Sequence, residues 1–457
     1  MKKLAGTSWG ANMTVLKKAY VGYVRPAVEY GIAAWGNASK TNFQKAEKIQ
    51  NHSLRIITGG MKSTPINEME AVAGLHSMED RKDQKVITQF VKFHHLGSHP
   101  MHERVKKRGK SRLKRTSFSS VAKSLQQTLN LPCPEPSHPM EVTNACPPWK
   151  RQEFPAIKTD IDGITKKETH HKSVLREVTQ DMLNHCYPSD EWTRVYTDGS
   201  AKEATNDGGG GVYIEWPGGK TYGTSIPTGQ YSSNYKAEAD ALEEAATILA
   251  NDEKTYNTKV VLLTDAKSVL QSLTNSKGTD LNPLVRALTS LNHSAKKVVM
   301  QWIPGHCDLF GNDAADELAK QGSDLEQIHN GFTFHEAKTS IQGSINSRWK
   351  IQHPQYNSRD SIYSLSRQDQ VTILRLRNGH NRLQHHMYSR LKIGESPGCP
   401  CGASRQDANH ILQDCRLYSD LRDQLWDGGA PLWVKLHGSK QDLETTANYI
   451  RRTGLAV

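Results

Sequence analysis

No stretch of this chain approaches the roughly 20 consecutive apolar residues that a membrane-spanning helix requires, and the mean hydropathy is −0.66. The opening Met-Lys-Lys-Leu-Ala-Gly-Thr-Ser-Trp carries no apolar core of a secretory signal. Cysteine is scarce: seven in 457 residues, an odd number at irregular spacing. That argues against a disulfide framework and fits a reducing compartment. The expectation is an intracellular protein, nuclear or cytoplasmic, with no membrane partner. Acidic residues are in deficit, 47 against 59 Lys and Arg, for a net charge of +12. That balance favours a polyanionic partner without establishing one.

What is present divides the chain into six parts. Residues 1–95 read as helical, with Leu16, Ala19, Tyr20, Tyr23 and Val24 at helical spacing and a second stripe of Phe43, Ala46, Ile49, Leu54 and Ile57. The Arg25-Pro-Ala-Val-Glu-Tyr-Gly stretch interrupts and restarts the pattern between them. Residues 96–190 read as a linker. Eight of the twelve residues from Arg104 to Arg115 are basic, and six prolines between Pro132 and Pro148 follow with little periodicity. Such a basic run is as readily a solvated face as a nuclear-import or nucleic-acid patch. Residues 191–323 are the most regular block. Residues 324–380 read as a polar helical connector, 381–425 hold clustered cysteine and histidine, and 426–457 form a tail with a helical pattern at Asp442–Arg452.

Within 191–323 the spacing predicts five strands. Three come in succession, at 194–198, 210–216 and 220–226, the last two joined by the short turn Pro217-Gly-Gly. A helix over 235–250 follows, then a continuous apolar strand at 259–265, as expected where both faces of a sheet are covered. Helices at 266–273 and 282–294, a strand at 297–303 and a helix at 313–321 complete the block. A three-strand meander followed by alternating strands and helices makes a mixed α/β sheet flanked by helices.

Four acids sit awkwardly in this block. Asp198 stands where the strand through Val195 and Tyr196 gives way to the glycine run Gly208–Gly211, and Asp265 ends the apolar strand at 259–265. Glu238 lies in the first turn of its helix and Asp316 one turn into the last one. A desolvated carboxylate costs several kcal/mol unless a cation or hydrogen bonds compensate it. Singly, each has a plain explanation: a turn residue, an acid favoured by the helix dipole, an N-cap. Jointly, four carboxylates on the edge of a sheet make an oxygen cage for two hard cations ~3.5–4 Å apart, as in phosphoryl-transfer sites.

The block resembles type 1 ribonuclease H. The motifs are Tyr196-Thr-Asp-Gly-Ser200, Asn234-Tyr-Lys-Ala-Glu238, Leu263-Thr-Asp265-Ala-Lys-Ser, and Trp302-Ile-Pro-Gly-His306 followed by Gly311-Asn-Asp-Ala-Ala-Asp316-Glu-Leu-Ala. The resemblance implies a metal-dependent endonuclease that cuts the RNA strand of RNA–DNA hybrid to a 5′-phosphate and a 3′-hydroxyl. Asp198, Glu238, Asp265 and Asp316 would then bind two Mg²⁺, with Mn²⁺ as a substitute. The family frame selects Asp316 over Asp313 for the fourth acid. It implies a general-acid or product-release role for His306, and substrate contacts at Gly199, Ser200 and Asn234. Gln301 is a further candidate for hydrogen bonding to the substrate backbone. The family's basic protruding helix is missing; only Asn275–Asp280 fills that gap.

A second set, Cys399-Pro-Cys401-Gly, His410 and Cys415, supplies three thiols and an imidazole, a ligand set for tetrahedral Zn²⁺. Cys133, Cys146, Cys186 and Cys307 have no such neighbours. Two further stretches resemble non-LTR, jockey-like retrotransposon reverse transcriptases. One is Leu16–Gly31 with Trp35, Gln50–Gly59, Thr64-Pro-Ile and Gly74-Leu-His-Ser-Met; the other is Leu374–His380 leading into the Cys/His segment. Polymerases of that group carry a Tyr/Phe-x-Asp-Asp pair, and this chain has no Asp-Asp. The resemblance therefore implies a thumb-like remnant at 1–95 without polymerase activity. The rival reading is a catalytically silent nucleic-acid-binding remnant that relies on the basic run and the zinc segment.

Overall fold

The computed structural model describes residues 1–97, 99–106, 116–131, 155–164, 170–203, 206–275, 282–327, 334–427 and 429–457. Most of the basic run, the proline-rich stretch with Cys133 and Cys146, and the 276–280 gap lie outside the described residues. The chain forms two compact units. One comprises Thr88–Gly109 and Asn130–Gln342, the other Met1–Ile87, Lys110–Leu129 and Gly343–Val457. No described helix is long and apolar enough to cross a membrane.

The first unit is built on a mixed sheet of β1 (Ala156–Lys158), β2 (Trp192–Lys202), β3 (Asn206–Glu215), β4 (Thr221–Gly229), β5 (Lys259–Thr264) and β6 (Lys297–Trp302), in the order β1-β6-β5-β2-β3-β4. β2, β3 and β4 are the antiparallel meander; β5 and β6 join in parallel. β5 is buried from Val260 to Thr264, as its unbroken apolar run requires when helices cover both faces. The flanking helices are Asn234–Asn251, Lys267–Asn275, Asn282–Ser294 and Phe310–Asp324.

Two features differ from the sequence expectation. The sheet has six strands rather than five. β1 comes from the segment read as a linker and pairs in parallel with β6, Ile157 facing Met300. The same segment supplies the Lys172–Cys186 helix, whose Leu175 and Leu183 join the core of the sheet with Tyr187. Three residues are too few to show strand periodicity, and only the partner strand makes them one. Secondly, β2 does not end at Asp198 but runs on to Lys202, paired with the glycine run, which is itself strand. A Cβ on Gly209 or Gly211 would lie 2.1 or 2.0 Å from backbone atoms of the Phe310–Asp324 helix. The glycines are there because helix backbone lies directly on the strand, not because the chain turns.

The second unit is helical, and its core is shared by distant parts of the chain. Met13, Leu16, Tyr20, Leu54 and Ile57 pack in one cluster with Ile362, Leu365, Ile373, Leu374 and Leu443. The Arg367–Arg377 helix is its most enclosed element, with eight of eleven residues buried. A second cluster gathers Leu376, Leu383, Ile411, Leu412, Trp426, Leu436, Tyr449 and Ile450 around Cys399 and Cys415. At the proline-containing stretch the helix continues. A wide π-helical turn at Tyr20–Val24 leads into Arg25–Glu29, where Pro26 occupies a first-turn position that needs no backbone donor.

Candidate functional site

Asp198 lies on β2 opposite Gly211, one residue beyond the point where Thr197 pairs with Thr264 of β5. Asp265 directly follows that strand, so parallel pairing sets the end of β5 beside Asp198, which lies within β2. The third acid arrives through a glycine. A Cβ at Gly199 would stand 2.2 Å from the backbone nitrogen of Glu238, so only glycine lets the Asn234–Asn251 helix lie against β2 at this point. Ser233 caps that helix by accepting from the Lys236 amide. Carboxylate oxygens of Asp198, Glu238 and Asp265 fall within 4.8 Å of one another. Gly305 borders the site from the loop that follows β6. A Cβ there would meet Asp265 Oδ2 at 1.8 Å, a constraint for which the sequence offered only the Pro-Gly pair.

The electrostatics follow from the crowding. Burial first, then the charge of Asp265, raises Asp198 from its ordinary value to about 6. Burial, then Asp198 and Asp265, lifts Glu238 well above the usual carboxylate range. The Gly199 amide donates to Asp198 Oδ1 at 2.7 Å. Oε2 of Glu238 is sealed from solvent and has no hydrogen-bond partner. A buried, unpaired carboxylate oxygen among two more carboxylates is the donor set a divalent cation fits.

The remaining predicted residues fall differently. Asp316 lies outside the trio; its Oδ2 accepts from Lys320 at 2.7 Å, while its charge still contributes to the upward shift of Asp198. His306 is exposed on the loop between β6 and the last helix, with a left-handed backbone (φ 55°). Its neighbour Cys307 is buried, and its thiol donates to the Pro304 carbonyl at 3.0 Å. Asn234 is exposed at the first position of its helix, and Ser200 is half-buried on β2. Gln301 is not available to a substrate. It is buried, accepts from Tyr187 Oη and donates to the carbonyls of Asp160 and Trp302, so it ties β1 and β6 to the core. Tyr235 meets the ring of His335, with centroids 5.7 Å apart, a contact that no local spacing signals.

The RNase H family model matches residues 190–324. The ribonuclease H of Orientia tsutsugamushi (strain Boryong) is 30% identical over 145 residues, covering 28% of this chain and 80% of the relative. The chain belongs to the ribonuclease H family. The ribonuclease H of Stutzerimonas stutzeri (strain A1501) is 28% identical over 147 residues, 29% of this chain and 93% of the relative. Among solved structures, LC11-RNase H1 in complex with RNA/DNA hybrid is 23% identical, with 29% of this chain and 96% of that one covered and a TM-score of 0.25. β1 and the Lys172–Cys186 helix lie outside the ribonuclease H match, although they complete its core.

A second cluster occupies the helical unit. Ligand atoms of Cys399, Cys401, His410 and Cys415 lie within 4.8 Å of one another. Cys399 Sγ is 3.7 Å from Cys415 Sγ, and Cys401 Sγ is 3.2 Å from His410 Nε2. Gly402, at φ 94°, makes the tight turn that returns the chain so that the Cys399 amide meets the Ala403 carbonyl at 2.8 Å. The Ala403 amide, ahead of the neighbouring ligand groups, draws the Cys401 thiol down to about 6, whereas burial pushes Cys415 up to about 11. Three sulfurs and a nitrogen in this arrangement suit tetrahedral Zn²⁺.

Proposed function

We propose that this protein is a ribonuclease H that hydrolyses the RNA strand of RNA–DNA hybrid and leaves a 5′-phosphate and a 3′-hydroxyl. The observation that carries this reading is the convergence of Asp198, Glu238 and Asp265 in a chain of that family. Two Mg²⁺, or Mn²⁺ in their place, would be held by these three acids with Asp316 as the fourth. Such cations supply charge neutralisation at the scissile phosphate and a water of lowered pKa. Glu238 and Asp198 would hold the cage in register, because their carboxylates are anchored on a capped helix and a paired strand. Asn234 would contact the 2′-hydroxyl, the group that separates RNA from DNA. Gly199 and Ser200 would border the same strand of the substrate. His306 would donate a proton to the leaving oxygen or assist product release, as an exposed imidazole can.

The test is cleavage of labelled hybrid with and without Mg²⁺. Asp265→Asn should abolish cutting while hybrid binding persists. A wild-type protein that binds hybrid but never cuts it would establish the silent-remnant reading instead. We further read the chain as a retrotransposon-derived intracellular protein, nuclear or cytoplasmic, supported by the motifs at 16–59 and 374–415. Primer extension by this chain would overturn the remnant reading of 1–95. Zinc is assigned to the Cys/His cluster on its donor set, and elemental analysis of wild type and Cys415→Ser checks that separately.

A further inference from the structure

The Cys/His cluster is gripped by side chains from three different helices. Tyr449 Oη donates to the Ile411 carbonyl at 2.7 Å, and Lys435 Nζ to the Leu412 carbonyl at 2.7 Å. Arg422 Nη1 donates to the Cys415 carbonyl at 2.6 Å. The held atoms belong to the short turn that presents His410 and Cys415. Lys435 is a buried cation at 2% exposure, and no carboxylate pairs with it among the described residues. Its surroundings are two side-chain and backbone oxygens and the face of Trp426, 4.2 Å from the ring centroid. A buried ammonium in ion-pair contact with no carboxylate, and reached only by the more distant charge of Asp414, is costly. Three thiolates and an imidazole around Zn²⁺ carry a net negative charge, which would offset it.

The same helices connect onward. Thr446, one turn before Tyr449, donates to the Lys435 carbonyl at 2.7 Å, and Arg451 pairs with Asp369. Asp369 lies on the Arg367–Arg377 helix, whose Arg377 donates to the Leu436 carbonyl at 2.6 Å. That helix holds the beginning of the chain. Arg367 donates to the carbonyls of Gly6, Ile56 and Ile57, Arg375 to that of Gly59, and Gln370 accepts from the Met13 amide. A Cβ on Gly59 would sit 2.4 Å from Val371, so the end of the Lys40–Thr58 helix lies directly on the Arg367–Arg377 helix.

We propose that the metal centre is the staple of the helical unit: Lys435, Arg422 and Tyr449 position its ligand turn, and loading it secures the docking of residues 1–59 onto the C-terminal helices. The proposal rests on the zinc reading of the cluster. It is independent of the hydrolytic reading of the acids.

The experiment uses the full chain. Zinc content is measured first, then a zinc chelator is added, and hydrogen exchange is followed in the presence of supplied Mg²⁺. On chelation, protection of the Lys40–Thr58 helix should fall at least about tenfold while β5 keeps its protection and hybrid cleavage continues. Loss of zinc with unchanged exchange at Lys40–Thr58 would overturn the staple yet leave the zinc reading standing; a chain that holds no zinc overturns both. Lys435→Met should weaken zinc binding by about 10–100-fold in a competition assay, with Lys435→Arg recovering most of it. Wild-type affinity in Lys435→Met would remove Lys435 from the argument.

Discussion

The two clusters of this chain are built on opposite terms. The acid trio sits in a sheet assembled from one continuous stretch, its carboxylates crowd and repel, and one oxygen is left unpaired. The Cys/His cluster sits in a unit assembled from both ends of the chain, and the backbone of its ligand turn is clamped by donors. The first arrangement crowds three carboxylates and fits a cation; the second is braced through the backbone of its ligand turn.

The sharpest way to break this contrast is to remove one acid. Asp265→Asn should take hybrid cleavage below detection and leave the melting temperature equal or higher, since one of three like charges is gone. A folded variant that still cuts would mean the trio is not the reaction centre. Next in size, Leu374→Ala should cost the helical unit about 2–5 kcal/mol by denaturant titration, because the side chain is buried in the cluster shared by both ends of the chain. Cleavage per folded molecule should not change. If it fell in parallel, the two units would not be energetically separate.

Gly305→Ala tests whether position alone matters. The added methyl would displace the Asp265 carboxylate, and a misplacement of ~1 Å is expected to lower kcat about 10²-fold with the fold retained. Activity equal to wild type would show that the carboxylate can move without loss.

The smallest effect is a pH dependence. Asp198 is raised to about 6 in the folded state, so without divalent cations its contribution to stability is full below about pH 4 and is lost as pH rises through 6, on the order of 2 kcal/mol. Magnesium should flatten this fall. In the helical unit, burial raises Glu70 to about 7, against the Gln50 hydrogen bond, which gives a loss of the same sign that Mg²⁺ should not touch. Equal magnesium sensitivity of both transitions would erase the distinction between the clusters.

Much of the first unit was legible because its signals are local. The apolar runs of β2 to β6, and the helices between them, lie in consecutive sequence, and the acids stand on those same elements. The sixth strand was not legible, since Ala156–Lys158 has no pattern of its own and is a strand only beside β6. Gly199 read as a substrate contact and Gly305 only as part of the Trp302–His306 motif; the neighbouring helix backbone and carboxylate show what each glycine leaves room for. Gln301 read as a polar group free for substrate, yet its hydrogen bonds are taken by Tyr187 and two carbonyls. The Arg367–Arg377 helix read as a polar connector because four of its residues are Arg or Asp. Arg367 and Arg375 are buried and donate to carbonyls supplied by residues more than 300 positions away.

The sequence by itself determined which side chains can do chemistry and in what order they arrive: four acids, a loop histidine, and three cysteines with a histidine. Those identities and their spacing along single strands and helices are properties of neighbours in the chain. Tertiary structure alone decided that Asp198, Glu238 and Asp265 share one space and that Asp316 stands outside it. It also decided that the first 59 residues are held by a helix near the other end. The reason is physical: a carboxylate's environment and a buried arginine's acceptors are set by contacts across the fold, and no local pattern records which distant backbone will come to meet them.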